Sequence, residues 1–179
     1  MALHINFVSP PSSGKSTLSS ELFSKMKKLG YKVELVTEVA KDYVYKKDFV
    51  SLSYQPLILG KQSFKNFKLD TQLDYIVNDA PFILSPIYLQ ENIHVPRKEF
   101  TDLVISMFKS YNSINFFLER NESFAFEEHG RVHSLEDSYK ISKDIKDIYK
   151  KAQIELISIK NNEDTIQNIL DILKERNYV

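Results

Sequence analysis

Hydrophobic positions along the chain come in short crowded runs and in longer stripes with a helical step, and the two kinds alternate. Leu3 to Val8 is the first crowded run. In the KSTLSSELFSKMKKLG that follows, Leu18, Leu22 and Met26 recur every fourth residue, which gives a helix one apolar face, and Gly30 suits its C-terminal end. YKVELVTE predicts a second strand with Thr37 and Glu38 at its polar exit, and LDYIVNDAP a third that ends at Asp79 just before Pro81.

Between these two strands, SLSYQPLILGKQSFKNFKLDTQ predicts one or two helices interrupted near Pro56, with Gly60 weakening a continuous one. In RKEFTDLVISMFKSY, Phe100, Leu103, Val104, Met107, Phe108 and Tyr111 fall at alternating steps of three and one, the clearest amphipathic helix in the chain. SINFFLER predicts a fourth strand, HSLEDSYKISKDIKDIYKKA a helix carried by Ile141, Ile145 and Ile148, and IELISI a fifth strand. A last helix has Ile166, Ile169, Leu170 and Leu173.

Strands alternating with helices imply a mainly parallel five-stranded sheet covered by helices on both faces, a three-layer α/β fold. The 179 residues suffice for one domain with a real core, so a single domain over 1–179 is expected.

Composition narrows the partners more than the fold. Lys plus Arg and Asp plus Glu are each 24, so no net field draws the chain to nucleic acid or anionic lipid. Without cysteine, thiolate metal sites and thiol nucleophiles are excluded. MALHINFVS lacks the features of a signal peptide and no apolar stretch approaches a membrane span, so a cytoplasmic protein without membrane contacts is expected.

The chemistry begins where the first strand ends. FVSPPSSGKSTL follows the phosphate-loop pattern G-x-x-x-x-G-K-[ST] at every position except the first, where Ser9 replaces glycine. Such a loop turns consecutive backbone N–H groups onto a phosphate at a helix N-terminus, adds a lysine for the β- and γ-phosphates and places a hydroxyl on Mg²⁺. Ser12, Ser13, Gly14, Lys15, Ser16 and Thr17 supply those groups here, all beyond Pro10 and Pro11, which have no N–H to give. A strand before the motif and an amphipathic helix after it are the context that it requires, so a P-loop NTPase fold binding ATP with Mg²⁺ is expected.

Ligands of open parallel sheets sit beyond the carboxyl ends of the strands, which draws attention to Glu38 and Asp79. Asp79 has the strand-then-acid form that contacts Mg²⁺ or an acceptor hydroxyl, as metal organiser or as general base. Glu38 suits an acceptor-orienting base equally with a helix N-cap.

ERNESFAFEEHGRVHS after the fourth strand has the layout of a lid over about 120–134, with Arg120 and Arg131 as candidate charges for a transferring phosphoryl group, or as surface arginines paired with nearby glutamates. His129 and His133 with Glu127 and Glu128 have a spacing that mobile loops meet easily, so no dedicated metal is expected there. Tyr43, Tyr45, Tyr54 and Gln55 are candidates for the acceptor pocket, with core packing the alternative.

In order along the chain, SSGKST, TEVAKDY, IVNDAPFILSPIY, FFLERNESF and GRVHSLEDS resemble the P-loop kinase-like ATPase family typified by the ribosylnicotinamide kinase domain of NadR-type proteins, a group with many phage members. The resemblance spans nearly the whole chain, though only the loop is highly specific. It implies that Lys15 and Ser16 hold ATP and Mg²⁺, that Asp79 is the acid ending the third strand and that Arg131, with Arg120 as a looser match, serves the lid. The implied activity is transfer of the ATP γ-phosphoryl group to a small nucleoside- or nucleotide-like acceptor.

Two other functions remain open from the sequence. GKQSFKNFK interleaves Lys61, Lys65 and Lys68 with Phe64 and Phe67, as a DNA-contacting kinase of hydroxymethylated pyrimidines requires, although zero net charge favours an ordinary solvated helix face. A nucleotide-sensing protein without phosphoryl transfer is the other; neither N-K-x-D nor D-x-x-G occurs to support guanine specificity.

Overall fold

β1 (Leu3–Val8) is buried along its whole length because it lies in the middle of the sheet and is covered on both faces. The computed structural model describes residues 1–11, 13–91, 94–119 and 135–179. After β1 come α1 (Lys15–Lys28), β2 (Val33–Val36), α2 (Val39–Tyr45), α3 (Phe49–Ser53), α4 (Gln55–Asp70), β3 (Tyr75–Asn78), a 3₁₀ turn (Phe82–Leu84), α5 (Arg97–Lys109), β4 (Ser113–Leu118), α6 (Leu135–Ala152), β5 (Ile157–Ile159) and α7 (Thr165–Glu175).

The sheet runs β2-β3-β1-β4-β5, with every pairing parallel. The chain therefore has the three-layer α/β architecture of P-loop NTPases. On one face Ile5 and Phe7 pack against Leu18, Leu22 and Met26 of α1 and against Ile169, Leu170 and Leu173 of α7. On the other, Val8 and Phe117 meet Phe100, Val104 and Phe108 of α5 and Ile141, Ile145 and Tyr149 of α6. These helical residues are the apolar stripes visible in the sequence, now buried.

On that second face β1 also presents His4 and Asn6, both buried. Asn6 lies in register with Asn78 of β3 and Asn115 of β4. The three amides form a ladder: Asn78 Nδ2 donates to Asn6 Oδ1, and Asn6 Nδ2 to Asn115 Oδ1, each at 2.9 Å. Asn115 Nδ2 continues it to the Glu155 carbonyl at 3.3 Å. Burying amides is unfavourable unless they pair, so this row is stable only in one register.

His4 Nε2 lies 2.9 Å from Asp70 Oδ1 and its Nδ1 lies 3.4 Å from Asn78 Nδ2. Burial lowers its pKa against the opposing pull of the hydrogen bond and charge of Asp70. The ring is thus neutral at pH 7, Nε2–H donating to Asp70 and Nδ1 accepting from Asn78.

Three departures from the expected elements have local causes. The interrupted helix breaks at Tyr54, the residue before Gln55-Pro56, and Pro56 occupies the first turn of α4, where its missing N–H is not needed; α4 then runs through Gly60 without a break. β5 is shorter than expected because Ile154 N–H closes the end of α6 on the Tyr149 carbonyl and Asn115 takes the Glu155 carbonyl. The lid over 120–134, with Arg120, His129, Arg131 and His133, lies outside the described residues, as does Ser12.

Candidate phosphate-binding site

Gly14 is the N-cap of α1, in the left-handed region at φ 80°, and offers no side-chain cap; the first turn of α1 carries no acidic residue. Its N–H groups are thus left for an anionic ligand. Ser13 Oγ donates to the Pro10 carbonyl at 2.9 Å, and Asn161 Nδ2, from the β5–α7 connection, donates to the Ser13 carbonyl at 3.0 Å. A side chain on Gly14 has no room: a Cβ there would lie 2.6 Å from Asn161 Nδ2. Ser9, in place of the first glycine, is buried and its Oγ has no hydrogen-bond partner among the described residues.

Asp79 follows directly after β3, and its side chain points into the loop. Lys15 Nζ donates to Asp79 Oδ1 at 2.9 Å and also to the Asp79 carbonyl. Ser16 Oγ donates to Oδ2 at 2.8 Å. Lys41, from α2, reaches the same pair, donating to Ser16 Oγ and to Asp79 Oδ2, the latter at 3.3 Å. Burial raises the Asp79 pKa, but the Lys15 charge and hydrogen bond, the Lys41 charge and the Ser16 hydroxyl outweigh it and hold the carboxyl below its usual range. Asp79 is therefore an anion at neutral pH.

A hydroxyl and a carboxylate on one side of a phosphate loop form a hard oxygen donor set suited to Mg²⁺. The ammonium of Lys41 already lies against both oxygens, so the pair attracts a cation. The residues fit the metal.

Glu38 stands at the N-cap position of α2, yet its side chain makes no capping bond; Oε2 instead lies 3.9 Å from Lys15 Nζ. α2 is held from elsewhere, the Val39 N–H donating to Gln62 Oε1 of α4 at 2.8 Å. Glu38 also bears on Tyr88, whose hydroxyl pKa is raised by burial first and by the Glu38 charge second.

A cleft of about 1440 Å³ opens beside these groups. Its lining includes the loop with Asn161 and Asn162, and also Tyr45, Phe49, Leu52, Gln55, Phe82, Leu84, Tyr88 and Gln90. Of the sequence candidates, Ser13, Gly14, Lys15, Ser16, Thr17 and Glu38 thus line one cavity with Tyr45 and Gln55, and Asp79 is tied to it through Lys15 and Ser16. Tyr43 is instead core, packed with Val39 and Ile58, and Tyr54 is about half exposed and does not line the cleft.

Sequence reasoning missed Lys41, Gln62, Tyr88 and Asn161. Lys41 was within reach, since it lies three residues after Glu38 and so shares its helical face. On α4, Phe64 and Phe67 are exposed with their rings 6.4 Å apart, whereas Lys61 turns to the Tyr43 hydroxyl and Lys65 to the Thr37 carbonyl. Among the described residues no group of three or more His, Asp or Glu side chains is placed to hold a metal, and no helix is long and apolar enough to cross a membrane.

A family profile described as "AAA domain" matches residues 4–165. A search of curated proteins gives no match. Among solved structures, deoxyadenosine kinase from M. mycoides with bound dATP superposes with a TM-score of 0.62 at 16% identity, covering 96% of this chain and 99% of that one. The same kinase with the products dCMP and a flexible dCDP bound gives a TM-score of 0.50 at 16% identity, covering 97% and 99%. Likeness at that identity concerns the fold.

Proposed function

Because the chain belongs to the AAA domain family, we propose that it is an ATP- and Mg²⁺-dependent phosphotransferase that moves the γ-phosphoryl group to a hydroxyl or phosphate of a small nucleoside- or nucleotide-like acceptor. The observation that carries this reading is the convergence of Lys15, Ser16 and Asp79 beside a cleft whose lining also includes aromatic and amide side chains. A nucleotide-binding switch needs only the phosphate loop; a cleft of about 1440 Å³ with that further lining suits a second substrate. The kinase neighbours, whose ligands are small nucleotides, and the resemblance to ribosylnicotinamide kinases point the same way.

In this reading the N–H groups from Ser12 to Thr17 cradle the ATP phosphates and Lys15 neutralises the β- and γ-phosphates. Ser16 and Asp79 are the residues that would hold Mg²⁺, which when bound neutralises charge on the phosphates. Glu38, at the exit of β2 and free of any capping duty, takes the proton from the acceptor hydroxyl as general base. With both carboxylates present, Asp79 keeps to organising cations. Arg120 and Arg131 are assigned from the sequence alone to a lid that excludes water and stabilises the transferring group. Rate enhancement is then mostly positioning and charge.

The test is an ATP-consumption screen over nucleosides, nucleotides, ribosylnicotinamide and DNA containing hydroxymethylated pyrimidine, run beside Lys15→Ala. At least one small acceptor should raise turnover of the unaltered protein well above that of the variant. Turnover that no acceptor raises excludes the kinase and leaves a nucleotide sensor; stimulation by modified DNA alone moves the acceptor class to DNA.

A further inference from the structure

The phosphate loop of this chain contains its own lysine, and a second one reaches it from outside. Lys15 occupies Oδ1 and the carbonyl of Asp79, leaving Oδ2 and the Ser16 hydroxyl on the far side of the carboxylate. Lys41 takes up both of those atoms. They are the two oxygens assigned above to the metal.

We propose that Lys41 is a resident cation of the metal site: its ammonium neutralises the Ser16–Asp79 pair in the nucleotide-free protein and yields the pair to a divalent ion that arrives with ATP. The inference rests on the phosphotransferase reading.

Charge supports it. Lys15 and Lys41 balance Asp79 and Glu38 beside the loop, with Lys15 in contact with both carboxylates and Lys41 with that of Asp79. Without Lys41 the group carries an excess negative charge that only an incoming cation relieves. With it, a divalent ion must displace an ammonium from the same two oxygens before it can bind, which suppresses metal binding until phosphate oxygens add to the ligand set.

Mobility supports it as well. The Lys15 side chain is only 14% exposed, whereas that of Lys41 is 38% exposed. α2 itself is fixed by the bond from Val39 N–H to Gln62. Release of the metal-binding oxygens is therefore a rotamer change of one long side chain along an open cleft, with no helix to move.

The experiment titrates the nucleotide-free full chain with Mn²⁺ and follows the electron paramagnetic resonance of the free ion. Lys41→Met and Lys41→Gln, each checked for native circular dichroism, should bind Mn²⁺ at least tenfold more tightly than the unaltered protein, and Lys41→Arg should remain near it. Equal Mn²⁺ affinity in the unaltered protein and the folded neutral variants overturns the proposal, and so does a gain in Lys41→Arg as large as theirs. A parallel calorimetric titration of the unaltered protein with the preformed Mn²⁺–ATP complex separates the two levels. Binding there without a gain in the neutral variants refutes the resident cation alone, whereas absence of nucleotide binding refutes the phosphotransferase reading too.

Discussion

The Ser16 hydroxyl donates to Asp79 Oδ2 at 2.8 Å, so the first turn of α1 is tied to the residue that directly follows β3. The loop is thereby shaped in advance around a carboxylate, which lowers the cost of ordering it on binding.

That carboxylate makes a prediction for acid. Its pKa in the folded chain lies below the unfolded value, so its contribution to stability is complete above the unfolded pKa of about 3.9 and is lost as pH falls through the lower folded value. Thermal melts of Asp79→Asn should show no such acid limb. The difference in Tm between the unaltered protein and the variant should narrow steadily below about pH 4; a constant difference contradicts the assignment of these contacts.

His4 behaves in the opposite range. Its folded pKa is depressed below the ordinary value of about 6.5, so the unfolded chain binds the proton more readily and stability declines as pH falls from about 6.5 toward the folded pKa. His4→Gln should flatten that decline between about pH 7 and 5 in urea melts. Asp70, Asn78 and Tyr111 surround the ring, and Asp70 moderates the effect without reversing it.

Glu38→Gln keeps the shape of the α2 N-terminus and removes the proposed base. Turnover should fall by roughly 10²–10⁴ while ATP affinity, measured by calorimetry, stays within about twofold. Loss of affinity together with turnover assigns Glu38 to holding Lys15 instead.

Gly14→Ala tests the loop from behind. The left-handed backbone costs an alanine about 1–3 kcal/mol, and its Cβ meets Asn161 Nδ2. ATP binding should weaken at least tenfold. Asn161→Ala in the same background should restore part of it by removing the clash; no recovery means that the backbone conformation alone is responsible.

Asn6→Leu interrupts the amide ladder and leaves Asn78 Nδ2 with only the 3.4 Å contact to His4 Nδ1 and Asn115 Oδ1 with only the 3.4 Å bond from the Tyr149 hydroxyl. Two buried polar groups left so weakly paired should lower stability by about 2–5 kcal/mol in a urea melt. A loss below about 1 kcal/mol means that water or rotated amides replace the bonds.

The order and type of the elements were legible because each helix has an apolar stripe and each strand a crowded run, down to the break before Pro56. α2 was not: its seven residues, VAKDYVY, are too few to display a period, and its position depends on Gln62 from a distant helix. At the site, Ser13 to Ser16 and Asp79 were readable because motif and strand exit locate them directly. Asn161 was not, since nothing in a sequence indicates which side chain will reach back to a loop formed 148 residues earlier; Lys41 was indicated only by its spacing from Glu38, on a helix too short to be recognised. The amide ladder was hidden for a similar reason. An asparagine in a strand reads as an edge or a turn until its partners on two other strands are known.

The ladder joins Asn6 to residues 72 and 109 positions later in the chain. During synthesis β1 appears before both of its neighbours, and Asn115 of β4 completes its pairing only when 109 further residues have been made. The phosphate loop, which hangs from the end of β1, can therefore take its final shape only once β4 is present. Until then Leu3 to Val8 is at most half-paired and β-prone, so the strand that carries the loop is also a place where nascent chains are exposed to misassociation.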